Sequence, residues 1–312
     1  MTSLAIFLVL LSAVFHAFKS LFNKTSHNKY AFTLLYWIGG VILTVPAIFV
    51  YFWINGVSEI EILQSVPPHI WGIMLLSICL HIVYFFTQSK IYIKGDLSLV
   101  YPLSRLAPLF VLLWSVFIMR EETTALGIFG IILTILGTWI IMHRNSVTSF
   151  KDFFEPFRHF KNVTILLAFL TSIVSAIFAV TDKTLTQAFS PTGDIGIDAL
   201  IVGPALFSVM LTVDIIIVWP IVIWKWKNDI AYEWKNNKKN IFLASIFDFP
   251  GYFLTLIAFL LAPLAYIVSL RQFSVVIGVI MGHYLLKEKY STYRILGSII
   301  IFVGCFMISA WG

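Results

Sequence analysis

The chain has 312 residues, of which 60% are hydrophobic and 12% charged, with a mean hydropathy of +0.94 and a formal net charge of +6. An ordinary soluble domain carries about 25% charged residues, so this apolar excess excludes a water-soluble globule and makes the bilayer the solvent. The positive charge lies in short connections rather than in a basic stripe interleaved with aromatics, which excludes nucleic acid as a partner. A span needs about 20 mostly apolar residues, and ten runs qualify in chain order: 4–22, 32–53, 70–90, 97–119, 125–142, 163–185, 200–224, 241–261, 265–286 and 293–311. The first run lacks a basic leader and a small-x-small cleavage site, so it reads as a retained helix. Cys79 and Cys305 both fall in apolar runs and read as small buried hydrophobes, with no disulfide framework or metal-ligand spacing.

Lysine and arginine set the expected orientation. The connections after the first, third, fifth, seventh and ninth runs hold most of them, including Lys24, Lys29, Lys90, Arg144, Lys161, Lys225, Lys235, Lys287 and Arg294. The other side holds Arg120 beside Glu59, Glu61, Glu121, Glu122 and Asp194. By the positive-inside rule the odd connections are cytoplasmic and both termini are outside. Residues 1–145 form one five-helix unit, 146–162 a cytoplasmic linker, and 163–312 a second unit. Five is odd, so the two units must be inverted relative to each other, giving an all-α integral membrane protein of ten transmembrane helices in two inverted five-helix repeats.

Residue spacing carries the duplication. Arg105 to Glu122 and Arg271 to Glu288 each span 17 positions, and Gly130 to Gly137 and Gly297 to Gly304 each span 7. Asn23-Lys24-Thr25 matches Asp182-Lys183-Thr184, Ala17 matches Ala176, and Tyr84-Phe85 matches Tyr252-Phe253. A charge within a span costs a few kcal/mol and marks a polar pathway. A pathway charge repeated in two halves is the pattern of a duplicated membrane transporter.

The candidate substrate-binding residues are Arg105, Arg271 with its neighbour Gln272, and the aromatics Tyr84, Tyr101 and Tyr252, with Tyr266 a further cavity candidate. A guanidinium binds carboxylate or phosphate through two parallel hydrogen bonds. Asp248, Asp214 and His81 are the candidate coupling residues, Asp248 because Pro250-Gly251 marks irregular backbone that suits a cavity. An Arg105–Asp248 ion pair is the competing structural reading. At 1.5 Å per residue, Arg105, Asp248 and Asp214 lie about 9 to 12 Å from the cytoplasmic side, His81 near the middle, and Arg271 about 9 Å from the outside. Lys19 is expected to snorkel, His16 to make an interhelical hydrogen bond, and Glu122 and Glu288 to sit near helix N-termini. Pro102 and Pro108 should kink the fourth run around Arg105.

Two segments carry a family resemblance. Gly95–Arg105 (GDLSLVYPLSR) resembles the passage from the third to the fourth helix of the EamA-type members of the drug/metabolite transporter superfamily. Ala262–Arg271 followed by Leu286-Lys287-Glu288 resembles its second-half counterpart, and Ser12–Ala17 resembles the start of one subgroup, with Phe18-Lys19 replacing that subgroup's Trp-Asn. The resemblance covers nearly the whole chain. It implies a secondary transporter working by alternating access, without cofactor, metal or ATPase, and it also implies cytoplasmic termini, against the loop charges. Two in-span arginines point to a small anionic or zwitterionic metabolite, moved outward across the plasma membrane by a monomer or homodimer. A lipid-linked sugar flippase and a non-transporting scaffold are the alternatives; the scaffold predicts no cavity around Arg105 and Arg271.

Overall fold

A computed structural model of the chain describes residues 1–94, 103–141, 162–190, 197–287 and 291–312, and every regular element among them is helical. In the first half these are α1 (Ser3–Lys24), α2 (Lys29–Asn55), the short α3 (Glu59–Ser65), α4 (Pro68–Lys94), α5 (Ala107–Phe117) and α6 (Ala125–Ile141). The second half holds α7 (Val163–Phe189), α8 (Ile197–Met210), α9 (Thr212–Asn236), α10 (Lys238–Leu261), α11 (Leu264–Leu270), α12 (Phe273–Leu286) and α13 (Thr292–Trp311). Side-chain caps start the long helices. Thr2 accepts from the Ala5 amide, Asn28 from Tyr30 and Ala31, Asn162 from Thr164 and Ser291 from Arg294, each satisfying donors that a helix start leaves open.

Eight stretches among the described residues are long and apolar enough to cross a membrane, with α8–α9 and α11–α12 each counting as one; the shorter apolar α5 and α6 complete the ten runs. Their outward faces carry large apolar side chains such as Trp53, Phe117, Ile216 and Phe306, the surface expected where lipid is the solvent. Cys79, expected to be buried, lies on this exposed face, whereas Cys305 is buried.

Packing obeys a pseudo-twofold relation that exchanges the halves. The contact of α1 with α10 is matched by that of α7 with α4, and the contact of α1 with α12 by that of α7 with α5. α2 meets α9, α5 meets α11, and α6 meets α13 most extensively of all. In that last pair a Cβ added at Gly130 would stand 2.8 Å from the Gly304 carbonyl oxygen, and one at Gly304 would stand 2.6 Å from that of Gly130. Gly137 and Gly297 repeat the relation at 2.7 and 2.5 Å. The glycines let the two backbones touch, and their order runs the helices antiparallel, as inverted repeats require. The amino group of Met1 donates to the carbonyl of Gly312, so both termini lie at one end, as an even number of crossings demands.

Candidate functional site

Three spans are interrupted, and a charged side chain stands at each interruption. In the fourth span, residues 103–104 make a helical turn, Arg105 is a turn residue, and α5 begins only at Ala107. In the ninth, α11 ends at Leu270 and α12 begins at Phe273, leaving Arg271 between them. The two breaks share a hydrogen-bond pattern. Leu106 N donates to Leu103 O and Leu109 N to Leu106 O, while Gln272 N donates to Ser269 O and Val275 N to Gln272 O. Each second-half residue lies 166 positions beyond its counterpart (271 against 105), so the repeat extends to single backbone bonds. Pro108, expected to kink a continuous helix, instead sits in the first turn of α5, where a missing N–H costs nothing. In the seventh span the chain breaks at Leu211, which sets Asp214 in the first turn of α9, the helix end that favours negative charge.

The three interruptions face one cavity of about 230 Å³ between the halves. Arg105, Arg271, Gln272, Tyr84, Tyr252, Asp248, Asp214 and His81 all line it. Tyr101 lies outside the described residues. Arg105 and Arg271, expected on opposite sides of the midplane, share the cavity wall because both breaks point inward. Tyr266 is not part of the wall. Its hydroxyl accepts from the Thr124 amide at 2.7 Å and its side chain is buried between spans.

Two pairings differ from expectation. Asp248 pairs with Lys19 at 2.9 Å instead of with Arg105, and Lys19, expected to snorkel, is held in the cavity wall over the Tyr36 ring. The cause is the close approach of α1 and α10. Ser12 donates to the Gly251 carbonyl at 2.6 Å, and a Cβ at Gly251 would stand 2.9 Å from Phe15. With the helices that near, Lys19 stands beside Asp248 and pairs with it in the cavity wall. Arg105 instead reaches His16, 3.4 Å away. Among the described residues Arg271 makes no ion pair; its Nε is buried without a hydrogen bond, and its guanidinium stands 5.7 Å from the Tyr252 ring centre. Asp214 Oδ1 and Gln272 Oε1 are also buried without a partner.

Sequence reasoning missed Asp182, used there only to align the repeat. It is fully buried, accepts from Ser77 Oγ at 2.7 Å and from the Tyr252 hydroxyl, and stands 3.3 Å from His81 Nε2. It also missed a seal formed by the next residue. Lys183 is buried against Glu121 and donates to the Ala262 carbonyl at 2.9 Å, while Glu121 accepts from Ser115 and from the Leu264 amide. Glu121 is thus drawn into the protein, whereas Glu122 stays exposed ahead of α6; Glu288 lies outside the described residues. Because Asn23, Lys29 and Gln88 line the cavity and Glu121 and Lys183 do not, the cavity reaches toward the Lys29 end and is sealed at the Glu121 end.

An inverted five-helix repeat, broken spans and a central polar cavity together define a membrane carrier architecture. The sequence matches the EamA-like transporter family over residues 3–143 and again over residues 162–310. The chain belongs to that family and is a multi-pass membrane transporter. A crystal structure of another protein superposes with a TM-score of 0.71, covering 98% of this chain and 96% of that one at 13% identity, a likeness of fold alone. No curated protein matches the sequence.

Proposed function

We propose that the protein is a secondary transporter that exports a small anionic or zwitterionic metabolite across the plasma membrane by alternating access. The observation that carries this reading is Arg271, a guanidinium in the cavity wall with no ion-pair partner among the described residues. Leaving a buried charge unpaired is costly, and a carboxylate or phosphate oxygen pair would offset that cost with two parallel hydrogen bonds. Asp214, with a free acceptor oxygen on the same cavity, suits the ammonium of a zwitterion. Outward transport fits a cavity that reaches the Lys29 end, which the loop charges place in the cytoplasm. A scaffold would need no such cavity.

The test is ligand-induced stabilisation of the purified protein by carboxylates, phosphates, zwitterions and uncharged analogues. A compound at a hundred times its Kd adds about 2.7 kcal/mol. Stabilisation by anions or zwitterions that disappears in Arg271→Gln is the expected outcome. Stabilisation only by uncharged compounds, or undiminished in Arg271→Gln, would defeat the reading.

A further inference from the structure

Asp182 lies just behind the cavity wall at its sealed end, and both halves of the molecule hold it. α4 of the first half supplies Ser77 and His81, and α10 of the second half supplies the Tyr252 hydroxyl. His81 and Tyr252 line the cavity, and the Tyr252 ring faces Arg271. A continuous path of contacts therefore runs from Arg271 through Tyr252 to Asp182 and His81. We propose that Asp182 and His81 form a proton-binding centre that releases the Tyr252 hydroxyl to the substrate anion, so that proton and anion load together. The proposal rests on Arg271 being the anion site.

The ionised Asp182 carboxylate is an acceptor only, and it holds the Ser77, His81 and Tyr252 donors at once. When the centre takes one proton from cavity water, the carboxylate charge that holds Tyr252 is neutralised, and a charge-assisted bond becomes an ordinary one of roughly half the strength. The Tyr252 hydroxyl is then free to turn and donate to an anion at Arg271. The net event is the uptake of one proton and one anion, and anion release returns the proton to water. Asp248 is not equivalent. Its partner Lys19 would be left as an unpaired ammonium if Asp248 took up the proton, whereas the partner of Asp182 is a histidine, which donates its Nε2–H to the carboxylate while neutral and so leaves no stranded charge when Asp182 takes up the proton.

The groups around the centre are few. α4 presents His81 and Tyr84, α10 presents Tyr252, and the first turn of α9 places Asp214 within electrostatic reach of both His81 and Asp182. Arg271 stands beyond the Tyr252 ring. α5 carries no titratable side chain, and the only one on α11, Tyr266, is engaged by Thr124. α8 carries Asp198 in its first turn, and its Gly203 packs against Thr186 and the C-cap Ser190 of α7. On α7 itself Lys183 turns to Glu121.

Infrared titration of the protein in lipid nanodiscs, without ligand and from about pH 5 to about pH 9, tests the centre directly. In an Asp214→Asn background, which removes the other buried carboxyl near His81, a carboxyl band should titrate in this range, kept when Asp248→Asn is added and lost when Asp182→Asn is added. A background with no titrating band, or a band that survives Asp182→Asn, overturns the proposal. Tyr252→Phe guards against misfolding of the aspartate variant, using succinate and inorganic phosphate as probes. Wild-type affinity for a bound probe should rise by up to about tenfold per unit fall in pH, the limit for one linked proton, while Tyr252→Phe stays flat. A pH-independent wild type also overturns it. If neither probe binds at any pH, the anion reading of the cavity falls, and the infrared result still decides the proton centre.

Discussion

Arg271 and Lys19 are both cations in the cavity wall, yet their surroundings assign them opposite tasks. Lys19 is committed to Asp248 at 2.9 Å, while Arg271 faces open space with an aromatic ring beside it. Arg271→Lys keeps the charge and loses the planar fork, so it should retain weak transport, at least tenfold below wild type, where Arg271→Gln retains none. Equal activity in the two variants would mean that charge alone matters. Glu121→Gln leaves the Lys183 ammonium buried without a counter-charge. A loss of about 3 kcal/mol is expected, read as a lower Tm in detergent, with Glu121→Gln/Lys183→Met recovering much of it. Neither Asp182 nor Lys183 was legible as a functional residue. Their sequence signal was similarity to Asn23-Lys24, and nothing local distinguishes a buried lysine from one at the headgroups; its depth is set by how α7 packs on α4 and α5.

At the scale of the helix, the interruptions were harder to read than the helices. Apolar length identified ten runs because hydrocarbon tolerates only backbone whose hydrogen bonds are satisfied internally. It could not place the breaks at Leu211 and Arg271, since those positions lie in apolar stretches without a distinctive turn sequence, while at Arg105 the flanking Pro102 and Pro108 signalled a kink rather than a break. The glycine spacing, in contrast, was visible as a repeat, and the structure supplies its physical content: backbone contact between α6 and α13. Gly130→Val should therefore separate these helices and cost about 1–3 kcal/mol as an overpacked contact, and Gly304→Val should do the same from the other side. Gly278→Ala is the control. A Cβ there meets nothing within 4 Å, so it should be neutral or slightly stabilising, because alanine is the better helix former. Equal melting temperatures for Gly130→Val and Gly278→Ala would show that the α6–α13 contact is not close in the membrane.

For the whole molecule, the inverted arrangement makes orientation and mechanism a single question. The same packing can be inserted either way up, so contacts cannot choose; only the flanking charges can. Lys225, Lys227, Lys235, Lys238 and Lys239 cluster around the α9–α10 junction, and the Glu233 carboxylate ties that junction to the start of α2 through the Asn28 amide at 2.7 Å. This basic end is also where the cavity reaches, at Asn23 and Lys29. In the proposed orientation, which positive-inside bias supports, this end is cytoplasmic, the cavity is the inward-facing form and the Glu121–Lys183 seal would close the outside. Single cysteines in a background with Cys79 and Cys305 replaced by alanine test this. Asn236→Cys, exposed beside the basic cluster, should react with an impermeant thiol reagent only after the membrane is opened, whereas Gln64→Cys, exposed on α3 at the opposite end, should react in intact cells. The reverse pattern would turn the molecule over. The proton centre, the anion site and the seal would keep their relation to one another, but the open cavity would face outward and the proposed export would become uptake.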